Sequence, residues 1–301
     1  MEPEQIRNRI VGPIAYPTTP FDKTGQNIDV ESFRKEIRFL VDNHISLVAV
    51  CGGTGEFFSL EFPEWETLVR AALEETRGKE VIVIPSVGGA ITQAVKMAKS
   101  AEEMGAGMLQ MTFLDPMFGI TEDGIYEYNR QIASSVSIAV MPYKTKSVPM
   151  SVELAKKICE MKNAVIFKEE SGDAEWFKDF MFATKRSVVG VCGGGESLAP
   201  YYIALGAKAF TTGVVNLLPQ LSLELYKAAV ENRWDKILEI QTRLRSLTKV
   251  REKPGRMIPV IKEGLKMMGI IREAYSRPPV APLNPDEKKE LERALKELGA
   301  L

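Results

Sequence analysis

Eight short apolar runs rich in Val and Ile alternate with stretches of helical spacing, and this alternation constrains the chain more than any other feature. The runs are IVGPIAY at 10–16, SLVAVC at 46–51, VIVIPS at 81–86, GMLQMT at 107–112, VSIAVM at 136–141, AVIFK at 164–168, SVVGVC at 187–192 and KAFTTG at 208–213. Between them lie VESFRKEIRFLVDN, PEWETLVRAALEETR, TQAVKMAKSAEEMG, DGIYEYNRQIASS and SVELAKKICEMK, several with Ser, Thr or Asp near the N-cap. Such alternation is the pattern of a parallel sheet wrapped by helices. Eight strand–helix units in series, each roughly thirty residues or less, predict an α/β fold of the (β/α)8 TIM-barrel type rather than an open doubly wound sheet. After Pro219 the strand signal stops, and LSLELYKAAVENRW, DKILEIQTRLRSLTK, MIPVIKEGLKMMG and PDEKKELERALKELGAL all read as helices. The expected division is a catalytic barrel over 1–232 and a C-terminal helical extension over 233–301 packed on it.

Composition removes several classes of function. Across 301 residues, 45% hydrophobic and 26% charged content fit an ordinary soluble globular protein. A net charge of −1, with Lys and Arg spread along the chain, gives no footprint for nucleic acid or an anionic membrane. The start MEPEQIRNRIVG lacks an apolar leader core, and no stretch of about eighteen uninterrupted apolar residues occurs, so neither export nor membrane spanning is expected. Cys51, Cys159 and Cys192 are odd in number and far apart, which argues against a disulfide framework or a local metal cluster and fits a reducing cytoplasm. His44 is the single histidine and sits where a helix hands over to a strand. Multi-histidine zinc sites are thereby excluded, and acid–base work falls to Lys, Tyr, carboxylates or groups of the substrate.

In a barrel of this type, chemistry belongs where strands end and the following loops begin. Lys168 closes the apolar run of AVIFKEESGD. A lysine held in a dry barrel mouth loses hydration, its pKa falls and its free amine becomes a nucleophile suited to imine formation. Position alone is equally compatible with a lysine reaching solvent or paired with Glu169 or Glu170. Tyr143, in VMPYKTKSVP after the fifth run, is placed to face the same mouth and move protons, although a half-buried tyrosine with a satisfied hydroxyl is the commoner case. Lys144 and Lys146 add positive charge there for an acidic substrate.

In CGGTGEFFSL, after the second run, glycines let backbone approach a ligand, so that the amides of Gly53 and Thr54 and the Thr54 hydroxyl suit a carboxylate. A tight turn needing glycine is the plainer reading. The motif lacks the ending of a nucleotide-binding P-loop. The late loops GVCGGGES and FTTGVVN bring Gly194, Thr212 and Gly213 to positions where many barrels bind phosphate. With no basic residue inside either loop, hydroxyls or a carboxylate fit better than a dianion.

Taken in order, YPTTPFD, GGTGEFFSL, GAGMLQMT, the Pro-Tyr at 142–143, FKEESGD, ALGAKAFTTGVVN and RPPVAPL resemble the N-acetylneuraminate lyase and dihydrodipicolinate synthase superfamily over almost the whole chain. The resemblance implies a (β/α)8 barrel with a C-terminal helical extension, a homo-oligomer (a dimer or homotetramer), and no organic cofactor or metal. It also implies that Lys168 is the Schiff-base lysine, Tyr143 the proton-transfer tyrosine, and Gly53 with Thr54 the carboxylate-binding pair. Gly53, where the synthase and the sialate lyase have Thr or Ser, makes the loop most similar to the 5-dehydro-4-deoxyglucarate dehydratase branch. TFLDPMFG has neither tyrosine of the synthase's Tyr-Tyr pair, and KTKSVP lacks the arginine of its Asn-x-Pro-Gly-Arg run. Lys144 and Glu169-Glu170 depart from the Asn and the Asp-Gly of the dehydratase branch. The expected function is a Schiff-base lyase acting on a small 2-oxo acid, most similar to that dehydratase. The alternatives are an aldolase of 2-keto-3-deoxy sugar acids or a related synthase, and a non-catalytic barrel that binds a keto acid.

Overall fold

A computed structural model describes residues 2–112 and 119–301. Helix α1 (Pro3–Arg7) precedes β1 (Gly12–Ala15), and strands and helices then alternate: α2 (Val30–Asp42), β2 (Leu47–Val50), α3 (Phe62–Glu75), β3 (Ile82–Gly88), α4 (Ile91–Glu103) and β4 (Met108–Thr112). They continue as α5 (Glu122–Ser134), β5 (Ala139–Met141), β6 (Tyr143–Lys144), α6 (Val152–Cys159), β7 (Ile166–Glu169), α7 (Ala174–Ala183), β8 (Val189–Cys192), α8 (Gly195–Ala204), β9 (Ala209–Thr212) and α9 (Pro219–Val230). Three helices follow: α10 (Trp234–Arg251), α11 (Met257–Met267) and α12 (Pro285–Glu297).

The strand order is β5-β4-β3-β2-β1-β9-β8-β7-β6, and the described ladders are parallel. This is the chain path of a (β/α)8 barrel with a C-terminal helical part. Among the described residues eight apolar runs yield nine strands, because Pro142 divides the fifth path in two. Proline has no N–H to donate, so the ladder changes partner there. Up to Met141 the chain pairs with β4, whereas Tyr143 and Lys144 pair with Lys168 and Glu169 of β7. The Pro142 carbonyl accepts the Lys168 N–H at 3.0 Å, which fixes that register. Tyr143 is therefore a strand residue rather than part of a loop.

Helix starts follow local chemistry. Asp29, Thr121, Ser151, Asp173 and Asn284 each accept a backbone N–H of the first turn of the helix that follows, which satisfies donors that the helix itself leaves open. The run TFLDPMFG, on which the missing tyrosine pair is read, lies outside the described residues between Thr112 and Gly119. Among the described residues no helix is long and apolar enough to cross a membrane.

The chain forms two compact units, Met1–Ile14 with Ile82–Thr212 and Ala15–Val81 with Gly213–Leu301. In the first, Phe167 of β7 packs against Trp176 and Phe180 of α7 with ring centroids 5.8 and 4.6 Å apart. In the second, α2 and α3 bury Phe33, Ile37, Trp65, Leu68 and Val69 along one face each.

Candidate active site

Side chains alternate across a strand, so the packing of Phe167 on α7 turns Lys168 to the other face of β7 and brings Glu169 back to the helix side. The two faces carry different chemistry. On its own face Lys168 is 4% exposed, and its ammonium lies 4.7 Å from the ring centroid of Tyr143 and pairs with Glu170 Oε2 at 2.5 Å. Tyr143 is half-buried, and burial raises its phenol pKa while the Lys168 charge pulls it down and Glu170 adds to the rise. An amine, a phenol and a carboxylate thus meet at the C-terminal end of β6 and β7.

On the helix side, Glu169 is fully buried. Its carboxylate accepts the Tyr202 hydroxyl at 2.6 Å, the Ser171 N–H at 2.7 Å, the Gly172 N–H at 3.2 Å and the Ser171 hydroxyl. Burial and the bond to Glu169 push the Tyr202 phenol up, which keeps it a donor. Lys144 belongs to this group. Its Nζ donates to Ser171 Oγ at 2.6 Å, lies 3.7 Å from Glu169 and sits 5.0 Å from the Trp176 ring centroid. Paired beside Glu169 in this register, Lys144 points to the helix side, where a substrate carboxylate would compete with Glu169.

The late glycines also answer to packing. A Cβ on Gly193 would meet Glu170 Cβ at 2.5 Å and the Glu169 carbonyl at 2.8 Å, and one on Gly194 would meet Leu198 at 2.5 Å. Both N–H groups are engaged, Gly193 with the Glu169 carbonyl at 2.6 Å and Gly194 with Cys192 Sγ at 3.3 Å. Packing thus gives glycine at 193 and 194 a structural reason. Burial pushes the Cys192 thiol up to about 12, which keeps it protonated and inert. Thr212 Oγ1 donates to both oxygens of buried Glu196, at 2.6 and 2.8 Å, so its hydroxyl proton is already committed.

In the second unit, the loop after β2 holds Cys51 and Glu56 at φ 56° and 55°, a left-handed conformation costing of order 1–3 kcal/mol each outside glycine. Gly53 is exposed and Thr54 half-buried, and nothing lies within 4 Å of a Cβ built on Gly53. Among the described residues, neither the Gly53 nor the Thr54 N–H donates a hydrogen bond. Gly213 lies beside them, with its Cβ position 3.5 Å from Thr54 Oγ1.

Beneath the loop lies a buried ion cluster that local sequence patterns do not announce. Glu56 pairs with Lys262 of α11 and accepts the Arg277 N–H at 3.0 Å, while Lys262 Nζ also donates to the Tyr275 carbonyl at 2.7 Å. The cations of Lys262 and Arg277 lie 4.4 and 4.3 Å from the Phe21 ring centroid. Burial draws Lys262 down to about 8 against the pull of Glu56. Glu36, fully buried and bonded to the Thr18 N–H and hydroxyl at 2.9 and 2.6 Å, is raised by burial to about 7.

The raised carboxyl of Glu36 gives a prediction. Its folded pKa lies above the unfolded value of 4.5, so the folded state holds a proton that the unfolded state releases between pH 4.5 and 7. Stability must therefore fall as pH rises through that window, by about 3 kcal/mol at completion. In Glu36→Gln this component should vanish, so that denaturant midpoints measured from pH 5 to 8 show a flatter slope than wild type. Parallel slopes would mean that Glu36 ionises freely.

Among the described residues no group of three or more His, Cys, Asp or Glu side chains is arranged to hold a metal ion. The sequence profile of the Dihydrodipicolinate synthetase family matches residues 9–298. A probable 5-dehydro-4-deoxyglucarate dehydratase of Oceanobacillus iheyensis is 31% identical over 96% of this chain and 95% of its own. A 4-hydroxy-tetrahydrodipicolinate synthase of Aquifex aeolicus is also 31% identical, over 95% of this chain and 96% of its own. The fold matches a crystal structure of dihydrodipicolinate synthase from Oceanobacillus iheyensis with a TM-score of 0.92 and 27% identity, covering 100% of both chains. Parallel strands alternating with helices, a buried lysine at a strand end and a match along nearly the full length converge: the chain belongs to the Dihydrodipicolinate synthetase family.

Proposed function

We propose that the protein is a Schiff-base lyase acting on a 2-oxo acid, of the 5-dehydro-4-deoxyglucarate dehydratase type. The observation that carries this reading is the Lys168 amine, buried at the end of β7 and 4.7 Å from the Tyr143 ring centroid. Relatives that carry the dehydratase name, that of Oceanobacillus iheyensis among them, support the choice of reaction.

In this mechanism the N–H groups of Gly53 and Thr54 bind the substrate carboxylate, with Gly213 leaving room beside Thr54. Lys168 attacks the adjacent keto carbon, Tyr143 relays protons, and water leaves to give an iminium. That cation acidifies the neighbouring C–H; loss of its proton gives an enamine, whose electrons expel the β-hydroxyl, which takes up a proton and leaves as water. Decarboxylation of the six-carbon diacid then yields a semialdehyde. A small-molecule substrate, a homo-oligomeric assembly and a cytoplasmic setting complete the proposal.

The Aquifex aeolicus relative favours a second reading, a synthase or an aldolase in which the same iminium forms or cleaves a carbon–carbon bond. Borohydride reduction with pyruvate and with keto-deoxy sugar acids, followed by peptide mapping, should add mass to the Lys168 peptide. Absence of that adduct while a control enzyme reacts defeats the Schiff-base reading. Coupled assays then separate the two reactions: carbon dioxide without pyruvate marks the dehydratase, and pyruvate without carbon dioxide marks the aldolase.

A further inference from the structure

We infer that Glu170 is a catalytic acid–base residue that takes a proton from the Lys168 ammonium and returns it to the leaving hydroxyl during imine formation. This inference rests on Lys168 being the Schiff-base lysine. Glu170 Oε2 lies 2.5 Å from Lys168 Nζ, and at 40% exposure its carboxylate reaches both the buried amine and solvent. Its backbone is fixed on two sides. The Glu170 N–H donates to the Lys144 carbonyl at 2.8 Å, and Gly193 is packed so closely that a Cβ there would come 2.7 Å from Glu170 Cα.

A lysine paired with a carboxylate is an ammonium with no lone pair to attack with, so the proton has to leave before the carbon–nitrogen bond can form. The nearest described base is the carboxylate already in contact. Transfer to Oε2 frees the lone pair, which bonds to the keto carbon as the carbonyl electrons move onto oxygen. The second Nζ proton passes to that oxygen through Tyr143, giving a neutral carbinolamine. Glu170 then protonates the hydroxyl, the carbon–oxygen bond breaks, water departs and the nitrogen lone pair closes the iminium. Ammonium and ketone have become iminium and water, and Glu170 is again a carboxylate facing a cation. Tyr143 cannot take the first role as well, because its pKa is raised by burial and its phenol begins the reaction protonated.

The ion pair allows a test in which a bystander and a catalyst give opposite signs. If Glu170 only holds the ammonium by charge, Glu170→Gln favours the free amine and borohydride trapping of pyruvate at Lys168 becomes faster. If Glu170 moves the proton, trapping slows by about a hundredfold, the lower range for general acid–base catalysis. Glu170→Ala should slow similarly and recover with added formate, a rescue that a merely structural role would not show, and melting curves identify any variant that fails to fold. Faster or unchanged trapping in folded Glu170→Gln, or no formate rescue of folded Glu170→Ala, overturns the inference. Absence of trapping in the wild type instead overturns the Schiff-base reading and takes this inference with it.

Discussion

Lys168→Ala should lower kcat on the order of 10⁵- to 10⁶-fold with any substrate the wild type turns over, the scale seen when a covalent catalyst loses its nucleophile. The fold should persist. Lys168 is buried, and burying its ammonium costs hydration that alanine does not lose. Its partner Glu170 keeps 40% of its side-chain surface in water, so the substitution leaves no carboxylate stranded in the interior. The melting temperature should accordingly stay within a few degrees of the wild type while borohydride labelling with pyruvate disappears. Substrate affinity, measured by equilibrium binding, should change far less than turnover, since in the proposed mechanism the carboxylate is held by the Gly53 and Thr54 amides. Retained turnover in a folded Lys168→Ala protein would assign the nucleophile elsewhere.

The barrel was readable because its pattern is local. Each apolar run and each amphipathic stretch carries its own periodicity, and the family profile covers residues 9–298 in keeping with it. The place of Lys168 at a buried strand end was readable for a similar reason, since a charged residue closing an apolar run stands out from its neighbours. Lys144 was not. Whether it faces the site or α7 depends on the ladder between β6 and β7, set by the Pro142 carbonyl accepting the Lys168 N–H. A register established by Lys168, 24 positions away, leaves no trace in the spacing around Lys144. The neighbours of Gly194 and Thr212 were hidden in another way: glycine and threonine after a strand suit a ligand, and only the fold shows Leu198 beside Gly194 and Glu196 accepting the Thr212 hydroxyl. Residue type limits what a position can do, and only its neighbours decide what it does.

The ion cluster beneath the Gly53–Thr54 loop shows the same limit at longer range. Glu56 stood in view within GGTGEF, and Lys262 within the apolar helical run MIPVIKEGLKM, but their contact joins residues 206 apart. A lysine on the buried face of an amphipathic helix was the one available signal, because such a cation must find a partner. Its partner explains the loop. Glu56 adopts a left-handed backbone at φ 55°, a strain that persists only where surroundings over-determine it. Lys262, Arg277 and the Gly53 carbonyl, which accepts the Glu56 N–H at 3.1 Å, supply that constraint.

Lys262→Met should therefore destabilise the protein by about 3–5 kcal/mol, the usual cost of leaving one member of a buried ion pair uncompensated. Methionine nearly matches the lysine stem in length, so lost packing contributes little and the charge dominates. Three interactions go at once: the pair with Glu56, the bond to the Tyr275 carbonyl and the cation over the Phe21 ring. Glu56 keeps only the Arg277 N–H as its described donor, too little to solvate a carboxylate that is 0% exposed. Denaturant midpoints of Lys262→Met, Glu56→Gln and the double variant separate charge from shape. Because neutral Gln removes the stranded charge, the double variant should be more stable than Lys262→Met alone, although the lysine side chain is missing from both. The released loop should also weaken carboxylate binding, so KM rises in Lys262→Met more than kcat falls, the reverse of the Lys168→Ala pattern. A loss below about 0.5 kcal/mol, typical of surface substitutions, would show that Glu56 does not depend on Lys262 for its charge balance.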